Sequence, residues 1–157
     1  MSIRIASVGV NHPKSEKCIL IAEDDKNDLF LLRLAFQKAA VSHQLKHAPD
    51  GQVAFDYLTG NEPFSDRDEY PFPDLLLLDL KMPRLDGFDL LRLLRSHPRL
   101  SSLPVVVLSS SILEKDIQLA KELGAREYLV KPTLLDDYRK LVLGLHDRWL
   151  SDNAPHP

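Results

Sequence analysis

Four consecutive leucines, at positions 75–78, are followed at once by a single carboxylate, Asp79. A continuous apolar run of this length is typical of a strand that is buried on both faces of a parallel sheet. An ionised aspartate inside such a strand would cost on the order of several kcal/mol unless it were paired or bound to a metal. The run therefore predicts a central strand that ends at the surface, where the charge of Asp79 is used.

Strand-like and helix-like segments alternate along the 157 residues of the chain. Five apolar runs have the length of buried strands, and they cover residues 18–23, 44–48, 74–79, 104–110 and 127–130. Segments with helical spacing follow them in turn, at 28–40, 51–60, 87–97, 112–123 and 134–150. Five successive βα units predict an α/β fold in which helices cover a parallel sheet.

The predicted domain covers residues 18–150. Residues 1–17 are expected to form a flexible N-terminal extension, and residues 151–157 a short tail. Residues 61–73 hold three prolines and five charged residues, so we expect a loop there. This loop is longer than an ordinary connection of roughly 2–6 residues and is interpreted as an insertion.

The composition excludes several classes of function. The formal net charge is −3, so no basic surface favours binding to nucleic acid. The single cysteine, Cys18, rules out an internal disulfide and a thiolate metal cluster. No apolar stretch approaches the roughly 18 residues of a membrane span, and the N-terminus lacks a secretory signal. We therefore expect a cytoplasmic protein that binds neither nucleic acid nor membranes.

Polar residues stand at the ends of four predicted strands. They are Glu23 and Asp24 in the first, Asp79 in the third, Ser109 in the fourth and Lys131 after the fifth. In an open parallel sheet the carboxyl ends of the strands meet at one edge, so we expect these side chains to lie together.

This set of side chains suits phosphoryl transfer. Clustered carboxylates repel one another unless a hard cation joins them, and Mg²⁺ prefers carboxylate and phosphate oxygens. An aspartate can act as a nucleophile and form an acyl phosphate, while an ammonium and a hydroxyl hold other phosphoryl oxygens. The chain lacks a glycine-rich phosphate loop, a Ser-His-Asp set and an H-E-x-x-H pair. The pattern therefore indicates metal-dependent phosphoryl transfer at this edge of the sheet.

Other polar residues near the strand ends have structural interpretations. Asp25 could be a third metal ligand, but an Asp just before a helical pattern is expected to cap the helix. Asp86, ahead of Gly87, is expected to form a turn and the N-cap of the third helix. Ser111 and Glu114 have the spacing of a capping box for the fourth helix.

The chain closely resembles the receiver domain of two-component response regulators. The matching segments are "ILIAEDD", "DLLLLDLKMPRLDG", "PVVVLSSS" and "GAREYLVKP", in the family's order and spacing between residue 18 and about residue 148. The resemblance implies a (βα)5 flavodoxin-like three-layer sandwich with a parallel sheet of strand order 2-1-3-4-5. The insertion at 61–73 and the lack of an output domain resemble a subgroup of single-domain receivers that includes the partners of bacterial phytochromes.

The resemblance also assigns residues to a metal site. Asp79 falls at the phosphoacceptor position, and Glu23 and Asp24 fall at the acidic pair that binds Mg²⁺ or Mn²⁺ together with Asp79. The backbone carbonyl of Lys81 matches the atom that completes the metal shell. Glu23 departs from the family pattern, in which many members have Asp at this position.

Four further residues match the family's catalytic and switch positions. Ser109 takes the place of the switch hydroxyl and Lys131 that of the family's lysine, and both are expected to act in phosphorylation. Tyr128 matches the aromatic switch, and the alternative is a core aromatic residue at the edge of the sheet. The family pattern makes the Lys131–Pro132 peptide bond cis.

The function that the resemblance implies is a signalling switch. A sensor histidine kinase, with a phytochrome-type photoreceptor kinase as one candidate, phosphorylates Asp79 in a Mg²⁺-dependent reaction. The surface of helix 4, strand 5 and helix 5 then changes, and this surface is also the candidate face for a homodimer. Such a protein is not an enzyme, apart from catalysing its own phosphorylation and dephosphorylation.

Three alternatives stand beside this switch. One is a phosphorelay intermediate that passes phosphate to a histidine phosphotransfer protein, and another is a phosphorylation-independent adaptor. The third is an aspartyl-phosphate phosphatase of the haloacid dehalogenase type. Lys81 argues against the phosphatase, because that class has a second Asp two residues after the nucleophile.

Overall fold

A computed structural model of the chain describes residues 16–152 and 154. The strands are Cys18–Ala22 (β1), Gln44–Ala48 (β2), Leu75–Leu78 (β3), Val105–Ser109 (β4) and Glu127–Val130 (β5). The helices are Lys26–Lys38 (α1), Gly51–Thr59 (α2), Gly87–Ser96 (α3), Glu114–Glu122 (α4) and Leu135–Leu145 (α5). Most of the predicted N-terminal extension and part of the predicted tail lie outside the described residues.

The five strands form one parallel sheet in the order β2-β1-β3-β4-β5. In the central strand, Leu76 lies opposite Leu20 of β1 and Val105 of β4. Helices α2, α3 and α4 contribute to the apolar core on one face of the sheet, and α1 and α5 to the core on the other. The predicted three-layer flavodoxin-like fold with strand order 2-1-3-4-5 is thus confirmed.

The leucine run supplies both cores. Leu76 and Leu78 point into one apolar cluster, and Leu75 and Leu77 point into the other. All four side chains are fully buried, and each such burial contributes roughly 1.5–3 kcal/mol. Since both faces of β3 are covered, a polar side chain is tolerated only beyond its end, which is where Asp79 stands.

Two of the predicted helix caps are confirmed. Asp25 Oδ1 accepts hydrogen bonds from the backbone N–H groups of Asn27 and Asp28, at 2.8 and 3.0 Å. Asp86 Oδ1 accepts one from the N–H group of Asp89, at 2.9 Å. Both aspartates therefore satisfy backbone donors in the first turn of a helix, which accounts for their positions just before α1 and α3.

The capping box predicted for α4 is wrong. The helix begins at Glu114, after Leu113, whose apolar side chain cannot accept a hydrogen bond. Ser111 lies too far ahead of the helix to cap it in this way, and its Oγ donates instead to Asp116 Oδ2 at 2.6 Å. The loop between β4 and α4 is longer than the local pattern indicates.

The insertion at 61–73 is a loop, as predicted, and it is packed against α2. Arg67 donates from its two terminal nitrogens to the carbonyl oxygens of Tyr57, Leu58 and Tyr70, at 2.8, 2.9 and 3.1 Å. The rings of Phe64 and Tyr70 lie 5.3 and 6.0 Å from that of Tyr57. These contacts extend the apolar core under the loop.

The C-terminal helix changes its geometry before it ends. The pattern predicts one helix to residue 150, but α5 ends at Leu145 and a π-helical turn follows at His146–Leu150. Trp149 Nε1 donates to Glu127 Oε2 at 3.0 Å, which ties this turn to the edge strand β5. Among the helices of the described part of the chain, none is long and apolar enough to cross a membrane.

Two histidines join the start of β2 to the π-helical turn. The N–H group of Lys17 donates to His43 Nδ1 at 3.2 Å, and His43 Nε2 lies 2.9 Å from His146 Nδ1. Because Nδ1 of His43 accepts a hydrogen bond, its Nε2 carries the proton and donates to His146. Burial, and then the neighbouring His146, lower the pKa of His43, so the neutral ring is favoured.

This contact predicts a pH-dependent contribution to stability. The pKa of His43 in the folded chain lies below 6.5, the value expected in the unfolded chain. The contribution is therefore present above that pH and is lost as the pH falls toward the lowered folded pKa. We expect the fall in Tm between about pH 7.5 and about pH 5.5 to be larger for wild type than for His43→Gln.

Thermal unfolding followed by circular dichroism measures this difference. His97→Gln, which removes a histidine after α3 that has no histidine neighbour in the described structure, is the matched control and should behave like wild type. Equal pH dependence in wild type and His43→Gln would show that the histidine contact does not contribute.

Candidate functional site

The side chains predicted from the strand ends meet at one edge of the sheet. Glu23 follows β1, Asp79 follows β3, Ser109 closes β4 and Lys131 follows β5. The first three residues are buried, with Glu23 5% and Asp79 7% exposed, and the side chain of Lys131 is 8% exposed. Backbone hydrogen bonds hold these positions, since Asp79 N donates to Ala22 O at 3.0 Å and Lys131 N donates to Ser109 O at 2.8 Å.

The ammonium of Lys131 lies at the centre of this site. Its Nζ is 2.6 Å from Glu23 Oε1, 2.8 Å from Asp28 Oδ2 and 3.2 Å from Asp79 Oδ2. An ammonium has three N–H donors, so each carboxylate accepts one of them. The lysine thus joins three separate elements of the fold through one charge.

The site holds more negative charge than this ammonium offsets. Burial raises the pKa of Glu23 to about 7; Asp79 adds to that rise, whereas Lys131 opposes it. Burial alone would lower the pKa of Lys131, but its hydrogen bonds to Asp28 and Glu23 raise it above the ordinary value. The lysine therefore stays charged, and the carboxylates around it favour a further cation.

Three of the carboxylates can hold a divalent ion. One carboxylate oxygen from each of Glu23, Asp24 and Asp79 lies within 4.8 Å of the other two. Asp24 is exposed while the other two are buried, so the position is open to solvent on one side. All-oxygen donors of this kind suit Mg²⁺ or Mn²⁺, which keep waters in the remaining positions. The carbonyl of Lys81, an exposed residue two positions after Asp79, stays a predicted ligand.

The predicted switch residues both contact Ser111, in the loop between β4 and α4. Ser109 Oγ accepts a hydrogen bond from the N–H group of Ser111 at 3.2 Å. The hydroxyl of Tyr128 donates to the carbonyl oxygen of Ser111 at 2.8 Å, and its half-buried ring packs against the core. The peptide groups on both sides of Ser111 are therefore held by the two side chains that the resemblance assigns to switching.

The Lys131–Pro132 peptide bond is trans, so the expected cis bond at Pro132 is a wrong prediction. In the described residues the cis bond precedes Pro63 in the insertion. The trans form is the ordinary state of a bond before proline, favoured by about 0.5–1 kcal/mol. Lys131 reaches its three carboxylate partners from the trans backbone, so this geometry does not require the cis form.

Gly87 brings the start of α3 against the backbone of Asp79 and Leu80. Its N–H group donates to Leu80 O at 2.9 Å. A Cβ atom at Gly87 would lie 2.5 Å from Asp79 O and 2.7 Å from Leu80 Cα, closer than real contacts allow. The Asp86-Gly87 pair is therefore more than the predicted turn and cap, because it fixes the main chain that carries Asp79.

Sequence reasoning missed Asp28 as a member of the site. The residue lies in the first turn of α1, and its pattern is that of an ordinary acidic residue near a helix start. The available signal was its position in the first turn of the helix that follows the acidic end of β1, since this turn lies at the same edge of the sheet. The partner, Lys131, is 103 residues away in the chain, and only the fold brings the two together.

Comparisons with known proteins agree with this arrangement. A family model described as the response regulator receiver domain matches residues 19–143. The crystal structure of response regulator RPA3017, in red light signaling of R. palustris, is 38% identical, and the alignment covers 90% of this chain and 98% of that one, with a TM-score of 0.84.

Two further solved structures are similar along nearly their whole length. The phosphorylated cyanobacterial phytochrome response regulator RcpA is 35% identical, with 91% of this chain and 99% of that one covered and a TM-score of 0.81. The Mn²⁺-bound form of response regulator Rcp1, a protein of Synechocystis, is 34% identical, with 90% and 99% covered and a TM-score of 0.77. Because the family model and these alignments span most of the chain, the chain belongs to the response regulator receiver domains of two-component signalling.

Proposed function

We propose that this chain is a response regulator whose Asp79 accepts a phosphoryl group from a sensor histidine kinase. The observation that carries the proposal is the contact of 3.2 Å between Asp79 Oδ2 and Lys131 Nζ, beside a carboxylate cluster that suits a divalent ion. RcpA, a similar protein, was solved in a phosphorylated form, and Rcp1 with Mn²⁺ bound. These relatives support a metal-dependent phosphorylation reaction.

The residues of the site have separate roles in this reaction. A carboxylate oxygen of Asp79 attacks phosphorus, the P–N bond of the phosphohistidine breaks, and its electron pair stays with the imidazole nitrogen. Lys131 donates to a phosphoryl oxygen and offsets its charge. A divalent ion, when bound at Glu23, Asp24 and Asp79, supplies further neutralisation of the phosphoryl oxygens. The chain thus acts on itself only, in its own phosphorylation and dephosphorylation.

The proposed output surface is formed by α4, β5 and α5. Four apolar side chains on this surface or at its border are exposed, and they are Ile112, Leu113, Val130 and Leu134. Ile112 is 74% and Leu134 is 65% exposed, which favours contact with another protein over a role in the core. The Ser111 segment lies beside them, so a change at Ser109 would reach this surface directly. A protein partner or a second copy of the chain is the proposed occupant.

A phytochrome-type kinase is the proposed source of the phosphoryl group. The proposal rests on two similar proteins, RPA3017 in red light signaling and RcpA as a phytochrome response regulator. Phosphotransfer from a panel of purified histidine kinases of the source organism tests this choice, and preferential transfer from a phytochrome-type kinase is the expected result.

Asp79→Asn is expected to abolish phosphorylation, because the amide cannot attack phosphorus. The measurement is incorporation of label from a phosphorylated histidine kinase, or from acetyl phosphate, in the presence of Mg²⁺. The matched control is Asp89→Asn, which changes an aspartate in the first turn of α3 that pairs with Arg92, and it should be labelled like wild type. Label retained in Asp79→Asn would disprove the assignment of the phosphoacceptor.

Two measurements, one on Asp79→Asn and one on the labelled wild-type chain, separate the switch from the alternatives. Partner binding that is unchanged by Asp79→Asn would favour an adaptor that does not depend on phosphorylation. Transfer of phosphate from the labelled chain to a histidine phosphotransfer protein would favour a phosphorelay intermediate.

Ser109→Ala is expected to weaken the conformational response without preventing phosphorylation at Asp79. A phosphoryl group adds charge and acceptor oxygens, and the hydroxyl of Ser109 can donate to one of them and release its present bond to Ser111. Hydrogen exchange of backbone amides, with and without beryllofluoride as a phosphoryl mimic, measures the response. Protection in residues 105–135 should change in wild type and change less in Ser109→Ala.

Ser110→Ala is the matched control, because this neighbouring serine is exposed and lies outside the hydrogen bonds of Ser111. It should respond like wild type. Equal responses in wild type and Ser109→Ala would contradict the proposed switch.

A further inference from the structure

The ammonium of Lys131 has one partner that does not belong to the metal-binding carboxylates. Asp28 Oδ2 lies 2.8 Å from Nζ, and its side chain is 31% exposed at the first turn of α1. The other two partners, Glu23 and Asp79, are both members of the cluster that suits a divalent ion. Among the ion pairs of Lys131 within residues 16–152, Asp28 is therefore the one that holds the lysine without occupying a metal ligand.

The lysine and a divalent cation both draw on the carboxylates of Glu23 and Asp79. The ammonium is bonded to one oxygen of Glu23 and one of Asp79, and a bound cation would draw on those carboxylates at short range. Two positive charges that share two buried carboxylates repel each other strongly in an environment of low dielectric. Metal binding is therefore favoured when the ammonium has a further anion toward which it can shift.

We propose that Asp28 is a positioning residue that shares the ammonium of Lys131 and thereby raises the affinity of Glu23, Asp24 and Asp79 for Mg²⁺. The inference rests on the proposed function, in which the divalent ion supports phosphorylation of Asp79. Asp28 keeps the lysine beside the phosphoacceptor when the metal is coordinated by the two buried carboxylates, Glu23 and Asp79. The same anchor leaves Nζ within reach of a phosphoryl oxygen.

The direct test is the affinity of the full chain for Mg²⁺, measured by calorimetry. In Asp28→Asn, Glu23 and Asp79 are the anionic partners that the ammonium retains among the described residues, so it opposes the cation more strongly. We expect the Kd for Mg²⁺ to rise about tenfold, which is the order of effect of one partly exposed charge near the site. Binding of Mn²⁺, followed by the electron spin resonance signal of the free ion, should show the same change.

A double-mutant cycle tests whether Asp28 acts through the lysine. In a Lys131→Met background no ammonium is left to share, and Asp28 acts on the cation only as a nearby charge. Asp28→Asn should then raise the Kd by less than about threefold. An equal rise in the two backgrounds would overturn the positioning role.

Two further variants control for charge and for folding. Asp137→Asn removes the same charge from the first turn of α5 without removing a partner of Lys131, and it should leave the Kd close to that of wild type. Asp28→Glu retains the anion on a longer side chain and should restore most of the affinity. A Kd in Asp28→Asn that equals that of wild type or of Asp137→Asn would overturn the proposal.

Phosphorylation at saturating Mg²⁺ distinguishes this inference from the function on which it rests. We expect Asp28→Asn to be labelled at Asp79 once the metal site is filled. Labelled wild type together with unchanged metal affinity in Asp28→Asn would disprove the role of Asp28 and leave the proposed function intact. Wild type that takes no label from any histidine kinase or from acetyl phosphate would instead contradict the function.

Discussion

The ammonium of Lys131 is the charge on which the strand-end site depends. It is bonded to three carboxylates from three different elements, and two of them, Glu23 and Asp79, are almost fully buried. Removing one partner of a buried ion pair costs about 3–5 kcal/mol, because the remaining charge stays desolvated. The lysine therefore stabilises a cluster of carboxylates that would otherwise repel one another at this edge of the sheet. The remaining negative charge of the cluster is what suits the site to a divalent ion.

The fold places the carboxylate of Asp79 at the edge of the sheet, beside the ammonium of Lys131. Both faces of β3 are covered, so the four leucines fix the strand in the core and leave Asp79 at the first position beyond it. Gly87 brings the start of α3 within contact of the same backbone, where any side chain would displace it. Asp79, the proposed phosphoacceptor, is thus held by main-chain packing, while Ser109 and Lys131 lie on neighbouring strand ends.

The contacts of Ser111 connect the site to the proposed output surface. Its N–H and C=O groups are bonded to Ser109 and Tyr128, and exposed apolar residues such as Ile112 follow directly. Each of these hydrogen bonds contributes only about 0.5–1.5 kcal/mol, so a charged ligand at Asp79 can change their balance.

Sequence alone determined the architecture and most of the site. Apolar runs indicate burial, and the residues that follow them indicate which side chains meet at the edge of the sheet. Five strands, five helices and the positions of Asp79 and Lys131 therefore followed from residue type and spacing. Tertiary structure decided what depends on distant partners. Asp28 pairs with Lys131, and His43 contacts His146. Ser111 is bonded to Asp116 and does not cap α4, and the peptide bond before Pro132 is trans. Periodicity records which face of an element is covered, but not which side chain from another part of the chain covers it.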